Sequence, residues 1–132
     1  MAKQDDSSQS SASSFLVEYH YKAVEEYAAL KDGKQKKGVL TVTDFLRQLG
    51  PKLKGPHSKP VQGTRKLYEL RPSGGKALVR PLYFRYDSST FKIVAIAPEA
   101  DVDASGFANA VKRATGRTAR ITLLEADHDQ KG

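Results

Sequence analysis

Cysteine is absent from the 132 residues, as is tryptophan, and there is a single methionine. Without cysteine there are no disulfides and no thiolate metal sites. The three histidines, His20, His57 and His128, are too scattered to suggest a zinc site. No apolar run approaches the roughly 18 residues that cross a bilayer, so no membrane partner is expected. Acidic residues are scarce in the middle of the chain. Arg47–Lys92 holds eleven lysines and arginines against Glu69 and Asp87 alone.

What is present is a basic body between two acidic tails. Met1–Ser14 has six serines, no large apolar residue after Met1, and Lys3 against Asp5 and Asp6. It is too polar to offset the entropy of ordering and is expected to be disordered. It has neither the apolar core of a secretory signal nor the arginines of a transit peptide. Glu125–Gly132 sets Lys131 against Glu125, Asp127 and Asp129. Net charge is +7; the two tails together carry −3, which leaves the body at +10. One domain over 15–124 is the natural division, in a protein of the cytoplasm. A concentration of charge of this kind points to a nucleic acid.

The periodicities predict α+β structure. Phe15, Val17, Tyr19 and Tyr21 alternate as on a strand, and Val24, Tyr27 and Ala28 form a helical stripe ended by Asp32-Gly33. A second helix is expected over at least Thr43–Leu49, with Thr43 or Asp44 as its cap and Gly50-Pro51 as its stop. Val39, Val42, Leu46 and Leu49 fit a helix face, but Val39–Thr43 is β-branched enough to be extended instead. Lys52–Thr64 reads as a loop. Lys66–Arg71, Leu78–Tyr86 and Phe91–Ala97 read as three strands of an antiparallel meander, joined by Pro72–Gly75 and Asp87–Thr90. Asp103 looks like the cap of a last helix over Ala104–Thr115, stopped by Gly116, with Ile121–Leu124 as an edge strand or a loosely packed run. The expected architecture is an antiparallel sheet of about four strands with two N-terminal helices and one C-terminal helix. With all helices on one side, the open face would carry the basic alternates.

One stretch is more specific. Leu46–Arg71 reads LRQLGPKLKGPHSKPVQGTRKLYELR, followed after a turn by Arg80-Pro-Leu-Tyr-Phe. A helix ending in glycine, a P-H-S-K loop, an L-Y-E-L-R strand and an arginine-led aromatic strand resemble, in that order, the RelE/HigB-like toxins of type II toxin–antitoxin systems. The likeness is to their phage-derived branch in the RelE/ParE superfamily. It implies a metal-independent mRNA endoribonuclease, without cofactor, that inhibits translation, often on the ribosome. It also implies a cognate antitoxin partner.

Such cleavage needs the 2′-OH deprotonated, the phosphorane charge stabilised and the leaving 5′-oxygen protonated. Arg71 and Arg80, on neighbouring strands, suit the phosphate as permanently charged bidentate donors. Glu69 shares a face with Arg71 and competes for it as an ion-pair partner. His57 is the acid–base candidate by its ordinary pKa. Lys59 suits a phosphate, and Lys66, Arg85 and Lys92 extend an RNA track. Tyr68, Tyr83, Phe84 and Tyr86 alternate, so that two of them fall on the surface where a base could stack, although a core role for most is the simpler assignment. Where the phage-derived toxins carry a G-F-x-K-K segment, this chain has Ala97-Pro-Glu-Ala-Asp-Val-Asp103. Acids replace bases there and weaken phosphate attraction at that corner. Two alternatives share the fold. One is a ParE-like toxin acting on DNA gyrase by protein contact, and the other is a non-catalytic RNA-binding regulatory module.

Overall fold

The computed structural model describes residues 14–131, with side chains described through Leu124. The expectation of disorder over Met1–Ser14 falls, but for Ser14, outside the described residues. The elements are β1 (Leu16–Tyr19), α1 (Tyr21–Ala28), α2 (Gly33–Leu49), β2 (Ser58–Pro60), β3 (Tyr68–Leu70), β4 (Val79–Arg85), β5 (Thr90–Pro98) and α3 (Ala104–Lys131). The sheet has five strands in the order β1-β5-β4-β3-β2. All its pairings are antiparallel except β1 with β5, which run parallel.

Two N-terminal helices and one C-terminal helix match the expected arrangement, but the helices do not share a side. On one face Val17, Val39, Val42, Leu46, Tyr83 and Ile93 form a core with α1 and α2. On the other, Leu82, Phe84, Val94 and Ala97 pack against Ala110 and Ala114 of α3. β4 and β5 are therefore covered on both sides, as their nearly continuous apolar sequence requires. Val94 is the extra residue of a bulge, since Leu82 pairs with Ala95 and Tyr83 with Ile93. The expected open face carrying a row of basic alternates does not exist across β4 and β5.

Local boundaries moved for identifiable reasons. Asp32 does not end α1; it caps α2, its Oδ1 accepting from the Lys34 N–H at 2.8 Å. Burial of Val39 and Val42 outweighs their β-branched preference, so α2 runs unbroken to Leu49. Thr43 is accordingly no cap. It lies mid-helix, donating to the Val39 carbonyl at 2.7 Å and meeting the Tyr19 hydroxyl at 2.7 Å. The loop expected over Lys52–Thr64 contains β2, paired to β3. Asp103 does cap α3, accepting from the Gly106 N–H at 2.9 Å. The helix passes through Gly116, which faces open space, and carries Ile121–Leu124 as helix rather than strand. A mid-helix glycine costs only about 1 kcal/mol, less than the packing of Ile121 returns.

β1 pairs with β5 only from Thr90 to Ile93, which leaves the upper edge of β5 bare. Glu26 of α1 and Arg117 of α3 close it. The Glu26 carboxylate accepts from the Ile96 N–H at 2.9 Å, and Arg117 donates to the Val94 carbonyl at 2.7 Å. The two meet at 2.8 Å, with Arg113 at 3.1 Å from the same carboxylate. This clamp joins helices on opposite faces. Burial pushes the Glu26 carboxyl up, but Arg117, the Ile96 N–H and Arg113 outweigh it and hold the group below its ordinary value. A depressed folded pKa gives stability present above the unfolded value and lost as pH falls through the folded one. Glu26→Gln is thus expected to destabilise the protein at pH 7 and to converge on wild type as pH falls below the usual carboxylate range. Urea titrations across that range read this; a pH-independent difference would exclude the clamp as its source.

Candidate functional site

At the end of the sheet where β3 leaves and β4 begins, four charged side chains expected from separate segments come together. Lys59 on β2 stands opposite Glu69 on β3, which in turn stands opposite Leu82 on β4. Strand alternation then places Arg71 and Arg80 on that same face. Glu69 is the hub. Its carboxylate lies 3.7 Å from Arg71 and 3.5 Å from Arg80. It is buried, and burial lifts its carboxyl above the ordinary value against the pull of Arg71, Arg80 and Lys59. The competing ion pair anticipated for Arg71 is therefore formed, and Arg80 joins it.

The two arginines differ in what they can reach. Arg80 is only 2% exposed. Its guanidinium donates to the carbonyls of Ala77, Val79 (3.0 Å) and Gly75 (3.2 Å), pinning the turn between β3 and β4. Burial, then the neighbouring Arg71, lowers its pKa, opposed by Glu69, Glu99 and Asp101. Arg71 is partly exposed, 27% at the side chain. Its guanidinium lies over Gly75, where a Cβ would sit 2.8 Å from Nη2 and where φ is +98°. Only glycine leaves that space at that backbone angle. Arg71 is thus a presented cation, and Arg80 lies beneath it as a support.

The His57 loop docks on the same corner through its backbone, with the Arg71 N–H donating to the His57 carbonyl at 2.8 Å. The imidazole packs edge-on against Phe45 at 5.1 Å between centroids. Its Nδ1 is buried with no hydrogen-bond partner among the described residues. Lys59 is exposed beside it.

The remaining RNA-track residues do not line up. Lys66 is in the β2–β3 connection, at the other end of β3 from Arg71. Arg85 closes β4, donating to the carbonyls of Asp87 and Ser88 and lying over Phe91. Lys92, opposite Phe84, shares the α3 face with Glu69 but lies at the far end of the sheet, paired with Glu18 at 3.1 Å and seated over Tyr86. Of the aromatic candidates, Tyr83 and Phe84 are buried, whereas Tyr68 is exposed and stacked on Tyr83. The acids of 98–103 come back to the site: Glu99 bears on Glu69 and, with Asp101, on Arg80. Glu69 was legible only as a competitor for Arg71. Its central place depends on the β2–β3–β4 register. Among the described residues no cluster of His, Asp or Glu could hold a metal ion.

Three helices around a five-stranded, mostly antiparallel sheet form a RelE-like fold. The chain superposes on a free-state mutant of the Escherichia coli toxin RelE with a TM-score of 0.54, 14% identity, and coverage of 76% of this chain and 97% of that one. The isolated E. coli RelE toxin matches with a TM-score of 0.52, again at 14% identity, covering 75% and 97%. A looser likeness, TM-score 0.48 at 21% identity over 64% and 94%, is to RelE in its complex with RelB from Pyrococcus horikoshii. No family model and no curated protein matches at the level of sequence.

Proposed function

We propose that this chain is a toxin-type endoribonuclease that cuts mRNA on the ribosome, inhibits translation in the cytoplasm, and is neutralised by an antitoxin protein. The observation that carries this is the convergence of Lys59, Glu69, Arg71 and Arg80 on one face of a RelE-like sheet. In the proposed reaction the 2′-oxygen loses its proton and attacks the adjacent phosphorus. The bond to the 5′-oxygen breaks, that oxygen leaves with a proton, and a 2′,3′-cyclic phosphate remains. Arg71 and Lys59 hold the phosphate charge as it develops. Arg80 is a positioning residue, acting through Glu69 and the carbonyls of 75–79. His57 is the proton carrier. Glu69, raised by burial beside two arginines, is a second titratable group within the same corner. Lys66, Arg85 and Lys92 contribute to general attraction of RNA and not to one continuous track.

The test is induction in a tolerant host followed by mapping of mRNA ends. New 5′ ends are expected, and Arg71→Gln is expected to reduce them about a hundredfold, the scale for loss of one charge-stabilising donor. Its circular dichroism should be unchanged, because Arg71 is partly exposed and tops the corner rather than lying beneath it. Arg80→Ala would not serve, since its loss unfolds the corner. Growth arrest with DNA breaks and intact mRNA would replace the nuclease with ParE-like action on gyrase, to which the acids Glu99 and Asp101 beside Arg80 are suited. No growth effect would leave a non-catalytic RNA-binding module.

A further inference from the structure

At the other end of β3 from Arg71, the second half of α3 lies beside the β2–β3 connection. An open groove of about 600 Å³ runs between them, lined by Thr64, Leu67, Thr115, Thr118, Ala119 and Leu123 among others. Its character is aliphatic. Leu123 and the adjacent Leu124, within the last third of α3, are 69% and 58% exposed. Thr118 is only 7% exposed, yet its hydroxyl has no hydrogen-bond partner among the described residues. Buried hydroxyls in that condition are uncommon and costly.

The rim is basic. Arg65 and Lys66 border the groove on the loop side. From Ala104 to Leu124 the helix carries Lys112, Arg113, Arg117 and Arg120 and no acid; acids return to it only at Glu125. Glu26 occupies Arg113 and Arg117. No acid pairs with Arg65, Lys66 or Arg120 among the described residues. An apolar floor inside a cationic rim, paired with no described acid, fits an acidic chain that also offers aliphatic side chains. RNA shares the charge but not the floor. Single-stranded bases gain affinity by stacking on aromatic rings, and no ring lines this groove.

We propose that this groove seats an acidic, leucine-bearing segment of a partner protein, its aliphatic side chains on Leu67, Ala119 and Leu123 and its carboxylates at Arg65, Lys66 and Arg120. The inference rests on the antitoxin half of the proposed function and adds where such a partner is anchored: beside the Glu69 corner, not on it.

The full chain, isotope-labelled for NMR, is titrated with a helical peptide of glutamates bearing leucines at i, i+3, i+4 and i+7. The same peptide with leucines replaced by serine, its lysine counterpart and an oligouridine serve as comparisons. The acidic leucine peptide is expected to bind and to shift the amides of Gly63, Thr64 and Ala119. Ala119→Trp, which fills the groove from an exposed position, is expected to weaken it at least about tenfold, as is the pair Arg65→Glu and Lys66→Glu. mRNA cleavage by Ala119→Trp should be unchanged, so failure of the groove and failure of the nuclease are read separately. Binding indifferent to Ala119→Trp, equal binding by the serine peptide, no binding by any peptide, or oligouridine shifting those amides in its place would each overturn the proposal.

Discussion

Arg80→Met is expected to destabilise the protein by about 3–5 kcal/mol, the scale for removing one partner of a buried ion pair. The guanidinium is almost wholly enclosed and holds three carbonyls of the 75–79 turn. Methionine of similar length fills the space but satisfies none of them. It also leaves Glu69, already raised by burial, with Arg71 and Lys59 as its nearby cations. The sign for Glu69 is opposite to that for Glu26. A raised folded pKa means that ionising the carboxylate costs stability, so the contribution is present below the unfolded value and is lost as pH rises through the folded one. Two consequences are measurable by urea denaturation. The Arg80→Met deficit should grow as pH rises through the titration of Glu69, and adding Glu69→Gln should recover part of it at neutral pH. A deficit below about 1 kcal/mol, or one that Glu69→Gln deepens additively, would show that the pair is not coupled.

Gly50→Ala is expected to cost about 3 kcal/mol or more, combining backbone strain with overpacking. Gly50 closes α2 at φ +55°, ψ −127°, and a Cβ there would run into the Phe15 ring. Phe15 has little room to yield. Its N–H is held by the Arg47 carbonyl at 2.7 Å and its ring meets Phe91 edge-on at 5.7 Å. The expected response is expulsion of Phe15 and loss of the start of β1. Gly116→Ala supplies the contrast. It sits in a helix facing open space, and the same substitution there should stabilise by about 0.5–1 kcal/mol. Thermal melts of both variants would move in opposite directions; a shared sign would mean that Gly50 is not the constrained position described here.

Much of the fold was legible residue by residue. The alternation of Phe15, Val17 and Tyr19, the stripe Val39, Val42 and Leu46, and Asp103 ahead of Ala104 are local signals, and local hydrogen bonding and periodicity act on them directly. Gly116 misled, and Val39–Thr43 stayed open between helix and strand, because such propensities are worth about 1 kcal/mol or less per residue, and burial on a shared core is worth more. β2 was hidden because three residues, Ser58-Lys59-Pro60, are too few to show a period and end in a proline. The candidate site divided in the same way. Lys59, Arg71 and His57 were recognisable as types of residue in suggestive segments, and the structure brings their segments to one corner. That Arg80 lies beneath that corner, and that Lys92 and Arg85 face away from each other, could not be seen.

Composition and short-range periodicity act within a few residues, and they were enough to set every element but β2, the order of the elements, and the concentration of positive charge between Arg47 and Lys92. Only the tertiary structure decided which face each charge occupies. That choice depends on the bulge at Val94, on the register of β2 against β3, and on α3 covering the side of the sheet expected to be open. A one-residue change in register moves a side chain from solvent to core, and no local signal records it.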